Sequence, residues 1–277
     1  MTLSPPWRDR AGRLSWLRIA ALAFIIGPAL LLGHAAWTEA LGPEPLKAAT
    51  HETGRMAIRL LVASLAVTPF GRVLAWPKLF QLRRMLGLAA LAWAAFHVLL
   101  YVGDQNWVLW RVAAEIATRV YLVIGFTAFL GLAVLGWTST DRWMKRLGRR
   151  WKRLHRLVFP IAVLALLHAF IQSKADTSQA VLMAGLFLWL IAWRLLPARW
   201  QQNLPALAGL AVTALFGAMV LEFLWYAVAT NLPAWRIAMA NLDLSFGPRP
   251  AVQAGLMASA FVLIAGARRL VQRMRPA

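Results

Sequence analysis

Long apolar segments alternate with short polar segments along the whole chain of 277 residues. Most of these apolar segments have roughly the 17 to 20 residues that a helix needs to cross the hydrocarbon core of a bilayer. We predict eight spanning helices, at residues 16–37, 54–70, 86–102, 120–137, 156–172, 179–196, 205–230 and 251–267. We interpret the first as a span rather than a cleaved signal peptide, because its apolar run is long and no cleavage motif of small residues follows it. The predicted fold class is an all-α polytopic membrane protein.

The composition agrees with this pattern. Hydrophobic residues make up 61% of the chain and charged residues only 14%, whereas a soluble domain has roughly a quarter of charged residues. Fifteen tryptophans against three tyrosines suit aromatic belts at two membrane surfaces. The absence of cysteine excludes disulfides, thiolate chemistry and cysteine-ligated metal centres, so a metal or cofactor must be held by other groups.

The net charge of +20 could indicate nucleic-acid binding, but the positions of the charges favour another cause. If the N-terminus is cytoplasmic, 22 of the 30 Lys and Arg residues lie in the five cytoplasmic segments. This distribution obeys the positive-inside rule, which predicts that both termini are cytoplasmic. Topology and attraction to anionic membrane lipid therefore explain the charge, and we expect no nucleic-acid partner.

Two of the five histidines, His97 and His168, lie inside apolar spans, where a polar ring without a partner is costly. The third and fifth spans both run outward in the predicted topology, and each has its histidine near the outer third. Two neutral imidazoles at one depth can hold a b-type haem through its iron. The alternative is two unrelated histidines, each hydrogen-bonded to a neighbouring backbone group or hydroxyl.

His155 lies thirteen residues before His168, at the inner end of the same predicted span. Thirteen residues rise about 20 Å along a helix, so these two histidines cannot ligate one iron. His155 is thus a candidate ligand of a second, inner haem, but the matching position on the third span is Arg83, and arginine is not a credible iron ligand. Alternatively, His155, Arg83 and Arg84 bind haem propionates, a flavin phosphate or a quinone, or the two arginines contact lipid headgroups.

Several motifs follow one another in a recognisable order. T-G-R occurs at 53–55, R-R-x-L-G-L at 83–88 precedes the histidine of the third span, T-S-T at 138–140 precedes the basic loop, and two histidines mark the fifth span. Together they resemble the MsrQ (YedZ) family of the ferric-reductase-like transmembrane superfamily, over about residues 10–197. The chain departs from the family pattern R-P-Y at Arg119, Val120 and Tyr121.

The resemblance implies a six-helix bundle that binds one or two haem b groups, with FMN as a further associated cofactor. It implies that His97, His155 and His168 are the haem-linked histidines. The implied role is an inner-membrane electron-transfer subunit, not itself a catalyst, that takes electrons from the quinone pool or a cytoplasmic flavin reductase. The implied acceptor is MsrP, a periplasmic molybdopterin enzyme that reduces methionine sulfoxide and so repairs oxidised periplasmic proteins.

By this resemblance the ferric-reductase-like haem-binding domain covers residues 1–197, and residues 198–277 are a C-terminal extension with two further transmembrane helices. The extension is an anchor, a docking surface for a partner or the remnant of a fusion. Within it, Glu222 is the only carboxylate deep in an apolar run. An acid at this depth either transfers protons, binds quinone or is a hydrogen-bonded structural residue.

Two alternative functions stay open. The first is a haem-containing ferric reductase or quinol-oxidising cytochrome with another acceptor. Because the chain has no glycine-rich nucleotide-binding loop, we expect its electron donor to be a separate molecule. The second is a haem-free transporter or assembly protein, although no pair of interrupted helices in corresponding halves indicates transporter repeats.

Overall fold

The computed structural model describes residues 5–8, 12–173, 176–245 and 247–274. These residues form α-helices and two 3₁₀ helices, Pro77–Gln81 and Ala240–Leu242, and within them the only β-type pairing is an isolated bridge between Arg8 and Leu14. The α-helices are α1 (Trp16–Trp37), α2 (Pro45–Val73), α3 (Leu82–Asp104), α4 (Leu109–Thr118), α5 (Val120–Trp137), α6 (Asp141–Leu147), α7 (Arg149–His155), α8 (Val158–Gln172), α9 (Ser178–Leu195), α10 (Leu204–Ala229), α11 (Ala234–Met239) and α12 (Pro250–Met274).

Eight helical segments of the described residues are long and apolar enough to cross a membrane, which confirms the predicted all-α polytopic membrane fold. The bounds of α1 and α5 are those predicted. By contrast, α2 begins nine residues before the predicted span and α12 ends seven residues after it. Hydropathy reports only the apolar part of a helix, and here both helices continue into segments that contain polar and charged residues.

The polar segments contain shorter helices that the hydropathy pattern did not predict. In the basic loop, Thr140 caps α6 by accepting a hydrogen bond from the backbone N–H of Trp143 at 3.4 Å. Gly148, at φ +49°, then separates α6 from α7 in a conformation that suits glycine. Two turn residues follow His155 before α8 begins, so the span Arg149–Gln172 is interrupted between His155 and His168. Pro160 lies in the first turn of α8, where its missing N–H costs no helical hydrogen bond.

The described residues group into two compact units. The first consists of the described parts of Met1–Ser64 and Leu79–Ala165, and the second of those of Leu65–Lys78 and Leu166–Ala277. In the first unit, α3 packs against α1 and α5, and α4 packs against α5. A Cβ atom on Gly131 would lie 2.7 Å from Cγ1 of Ile161, so a larger residue here would have to displace the Ile161 side chain. The predicted boundary between the haem-binding domain and the C-terminal extension, after residue 197, rests on the family resemblance and stays a prediction.

In the second unit, α9, α10 and α12 pack closely against one another through small residues. A Cβ atom on Gly185 of α9 would lie 2.7 Å from Cβ of Ala218 on α10 and 3.1 Å from Cβ of Ala254 on α12. Such small residues let helix backbones approach within a membrane, where van der Waals contact rather than water exclusion drives association. Phe70, Trp189 and Phe261 add an aromatic cluster to this core.

One buried backbone carbonyl of the second unit has an unusual partner. Pro69 lies inside α2 and has no N–H, so the carbonyl of Leu65 lacks its normal helical donor four residues later. The guanidinium of Arg194 donates to this carbonyl at 2.6 Å, and also to the carbonyl of Leu190 in its own helix at 2.6 Å. Arg194 therefore satisfies an acceptor that the proline leaves without a backbone donor.

Candidate functional site

The imidazole of His97 is held in one tautomer by the backbone of the preceding span. Its Nδ1 lies 2.7 Å from the carbonyl oxygen of Thr50 on α2. A carbonyl oxygen can only accept, so Nδ1 must carry the proton and the lone pair of the neutral ring is on Nε2. A hydrogen bond from Nδ1 to a backbone carbonyl is typical of histidines that ligate metals, because it sets the ring orientation and raises the basicity of the ligating nitrogen.

The T-G-R motif forms the wall against which this imidazole lies. A Cβ atom on Gly54 would lie 2.9 Å from Nδ1 and 3.1 Å from Cε1 of His97, so no larger residue fits without displacing the ring. Thr53 is fully buried, and its hydroxyl donates to the carbonyls of Ala49 at 2.8 Å and Thr50 at 2.9 Å. The sequence indicated the T-G-R motif only through the family resemblance. In the structure, Gly54 of this motif and Thr50, one turn before it, both position the ring of His97.

His168 lies in α8, half-buried, four residues before the helix ends at Gln172. It belongs to the second unit, whereas His97 belongs to the first. Two residues further on, Phe170 packs against Trp225 of α10, with ring centroids 5.3 Å apart. The predicted extension thus supports the end of the helix that carries His168. Joint ligation of one iron by His97 and His168 stays a prediction.

His155 is held by contacts within its own loop. Its Nε2 lies 3.2 Å from the hydroxyl of Thr138, and its ring stacks on Trp151 with centroids 4.0 Å apart. The Thr138 hydroxyl donates to the carbonyl of Val134 at 2.8 Å, so it accepts from Nε2 of His155. Trp151 in turn donates to the carbonyl of Thr138 at 2.9 Å. To ligate an iron through Nε2, His155 would have to give up its bond to Thr138. Ligation by His155 stays a prediction.

The two arginines of the R-R-x-L-G-L motif are both exposed. Arg84 forms an ion pair with Asp141 at 2.8 Å, which ties the start of α3 to the start of α6. Arg83 lies within electrostatic range of His155. Their predicted contact with a cofactor or quinone stays a prediction.

A polar cluster that no sequence pattern predicted lies at the C-terminal end of α3. The hydroxyl of Tyr101 donates to Oε2 of Glu115 at 2.6 Å, and Arg119 forms an ion pair with Oε1 of the same carboxylate at 3.3 Å. Arg119 also donates to the hydroxyl of Tyr121 at 3.1 Å, and this hydrogen bond raises the pKa of Arg119. Since Tyr101 is one helical turn after His97, the cluster fixes the end of the helix that positions His97.

Glu222 is buried and has protein partners. It accepts a hydrogen bond from the side-chain amide of Asn241 and lies 3.6 Å from the guanidinium of Arg249. Asn241 is also fully buried, and its Oδ1 accepts from the backbone N–H of Ala251 at the start of α12 at 3.2 Å. The cluster therefore connects α10, the loop after it and α12. These contacts agree with the structural interpretation of Glu222.

The described residues contain no group of three or more His, Cys, Asp or Glu side chains that could hold a bare metal ion. A haem needs fewer protein ligands, because its porphyrin supplies four of the six iron ligands and histidine can supply the axial ones. The tautomer of His97 and the close approach of Gly54 fit an axial haem ligand.

Comparison with known proteins gives the family. The family model described as "Ferric reductase like transmembrane component" matches residues 53–166. The protein-methionine-sulfoxide reductase heme-binding subunit MsrQ of Xanthomonas campestris pv. campestris (strain 8004) is 39% identical over 184 residues, which cover 64% of this chain and 84% of the relative. The protein of the same name from Cronobacter sakazakii is 37% identical over 191 residues, which cover 68% of this chain and 94% of the relative.

About a third of this chain lies outside each of these matches. No solved structure matches the chain. The identity and the coverage of the relatives confirm the resemblance that the ordered motifs indicated. This chain belongs to the MsrQ family, within the ferric-reductase-like transmembrane superfamily.

Proposed function

We propose that this chain is a membrane haem b subunit that passes electrons to a periplasmic methionine-sulfoxide reductase of the MsrP type. The observation that carries the proposal is the hydrogen bond from Nδ1 of His97 to the Thr50 carbonyl, which leaves the lone pair on Nε2. The names of the relatives support the same cofactor and the same reductase system.

In this proposal, His97 and His168 would hold the haem iron. His97 lies seven residues before the end of α3 and His168 four residues before the end of α8, which correspond to roughly 10 Å and 6 Å along each helix. The similar depth of the two positions in their spans supports their pairing. Haem b held by two histidines would supply a one-electron couple, and this ligation would favour electron transfer over the binding of oxygen or substrate.

The distribution of basic residues supports an inner-membrane protein with both termini in the cytoplasm. In this orientation His97 and His168 lie toward the periplasmic side, near the proposed acceptor. The proposed donor is the quinone pool or a cytoplasmic flavin reductase, with FMN as a further cofactor by family resemblance. The chain's own contribution is to hold the cofactor within the membrane and to orient His97 through Thr50 and Gly54.

The first test is a reduced-minus-oxidised spectrum of the detergent-purified full chain, together with the ratio of haem to protein. We expect a low-spin b-type spectrum. A ratio near one would assign the haem to the outer site alone, and a ratio near two would support an inner haem at His155. A preparation without haem, even after expression with ample haem supply, would overturn the proposal.

The second test identifies the donor and the acceptor. The purified chain is placed in liposomes with a purified MsrP-type enzyme, and methionine sulfoxide reduction is followed with either a quinol or NADH plus a flavin reductase as donor. We expect reduction of the sulfoxide with at least one donor and none without the chain. Rapid oxidation of the haem by ferric chelates, with no transfer to the reductase, would instead favour a ferric reductase.

A further inference from the structure

A cavity of about 410 Å³ lies where α5 meets the basic loop of the first unit. Its lining residues are Gly136, Trp137, Thr140, Arg142, Trp143 and Arg146. This volume is within the usual range for a site that binds one small molecule, roughly 300 to 1,000 Å³. The position at the end of a spanning helix, with two indoles in the lining, is typical of the interface between the hydrocarbon core and water.

The charge of this cavity is strongly positive. Arg142 and Arg146 lie one turn apart on α6, and both are exposed. The guanidinium of Arg146 lies 5.0 Å from the ring centroid of Trp143, a cation–π contact that holds it beside the cavity. Asp141 is the only acidic residue between 138 and 156, and it is paired with Arg84 at 2.8 Å. The cavity therefore has two arginines and no carboxylate in its lining, which favours an anion.

An apolar stripe on α5 leads directly to this cavity. Its residues are exposed at spacings of three and four, so they share one face of the helix. The members of the stripe are Val120, Val123, Thr127, Leu130, Val134 and Trp137. The hydroxyl of Thr127 does not interrupt its apolar character, because it donates to the carbonyl of Val123 at 2.7 Å. A ligand that has both a phosphate and a long acyl chain matches the arginines and the stripe together.

We propose that this cavity is a specific site for one anionic phospholipid of the cytoplasmic leaflet. Its phosphodiester is bound by Arg142 and Arg146, since guanidinium groups match phosphate oxygens in pairs. Its glycerol backbone lies beside Trp137 and Trp143, and one acyl chain follows the stripe on α5. A soluble phosphate compound could also bind the two arginines, but it has no acyl chain to contact the stripe on α5. Contact with the stripe therefore distinguishes a phospholipid from a soluble phosphate.

The test uses the full chain in detergent micelles doped with phosphatidylglycerol or, in parallel, with phosphatidylcholine of the same acyl chains, and native mass spectrometry counts the lipids retained. We expect one tightly held phosphatidylglycerol per chain and weaker retention of phosphatidylcholine. The variant R142Q/R146Q is expected to lower phosphatidylglycerol occupancy roughly tenfold. The matched control R149Q/R150Q removes the same charge from α7, outside the lining, and is expected to retain the lipid.

The following results would each contradict the proposed phospholipid site. Equal occupancy in wild type and R142Q/R146Q would exclude the two arginines, and an equal loss in R149Q/R150Q would reduce the effect to general charge attraction. Displacement of the lipid by millimolar inorganic phosphate or by FMN would assign the cavity to a soluble phosphate or a flavin. If R142Q/R146Q does not fold, as judged by size-exclusion chromatography, the single variants R142Q and R146Q replace it, and each must then weaken retention.

Discussion

Gly54 of α2 lies directly against the imidazole of His97 on α3. A Cβ atom at position 54 would come within 2.9 Å of Nδ1, the atom that donates to the carbonyl of Thr50. The position of the ring thus depends on two contacts with a single turn of α2. Because both contacts concern the nitrogen opposite the proposed ligating atom, they determine where Nε2 points without involving the iron.

We predict that Gly54→Ala disturbs the haem without unfolding the chain. The added methyl group must displace the imidazole or the helix, and overpacking of this kind costs about 1–3 kcal/mol. We expect a lower haem content or changed low-spin g-values in electron paramagnetic resonance. Gly87→Ala is the control, because a Cβ atom at Gly87 of α3 meets no other atom within 4 Å. Identical spectra for Gly54→Ala, Gly87→Ala and wild type would contradict a role for Gly54 in positioning His97.

We predict that His97→Ala and His168→Ala each lose the same haem, because an iron with two axial histidines loses its low-spin state when either is removed. The measurement is the reduced-minus-oxidised spectrum of each single variant at equal protein concentration. The control is His34→Ala, which removes an exposed histidine at the last turn of α1. A full, unchanged low-spin spectrum in either single variant would exclude that histidine as a ligand.

The spans could be predicted from the sequence because every helix that crosses a bilayer must be long enough and must be predominantly apolar. The short helices could not, since they do not span a bilayer, and α6 and α7 depend on local features such as the Thr140 cap and Gly148 rather than on hydropathy. Candidate ligands could be proposed because histidine is rare inside apolar runs. The partners of those histidines could not, because Thr50 becomes a neighbour of His97 only when α2 and α3 pack together. Likewise, Thr138 meets His155 only through the fold of the basic loop.

We predict that His155→Ala keeps the haem content of the wild type. The Nε2 of His155 is bound to the Thr138 hydroxyl and the ring stacks on Trp151, contacts that stabilise the basic loop rather than an iron. The variant is therefore expected to lower the thermal unfolding temperature but not the ratio of haem to protein. Pyridine haemochrome assays on purified protein measure this ratio. The loss of one haem equivalent in this variant alone would establish His155 as a ligand, as the family resemblance implies.

We predict that the stability of the second unit depends jointly on Arg194 and Pro69. Arg194→Met leaves the Leu65 carbonyl without a donor, and an unsatisfied buried acceptor costs about 1–3 kcal/mol. In a Pro69→Ala background the new backbone N–H can bond to that carbonyl, so Arg194→Met should cost less there. A double-mutant cycle of unfolding free energies measures the difference. Equal costs of Arg194→Met in both backgrounds would show that Arg194 does not compensate for the proline.

Substitutions at Glu222 separate a structural role of this carboxylate from a role in proton transfer. Glu222→Gln keeps an oxygen for the amide of Asn241 but places an uncharged NH2 group, a donor, opposite Arg249, whereas Glu222→Ala removes both acceptors and leaves a cavity. If Glu222 is structural, the alanine variant is destabilised by about 2–5 kcal/mol, the glutamine variant by less, and both retain quinol-driven electron transfer where they fold. Thermal unfolding and the liposome assay measure the two effects. A large loss of turnover in stable Glu222→Gln protein would instead indicate proton transfer, because glutamine keeps the size of glutamate and an acceptor for Asn241 but cannot accept and release a proton.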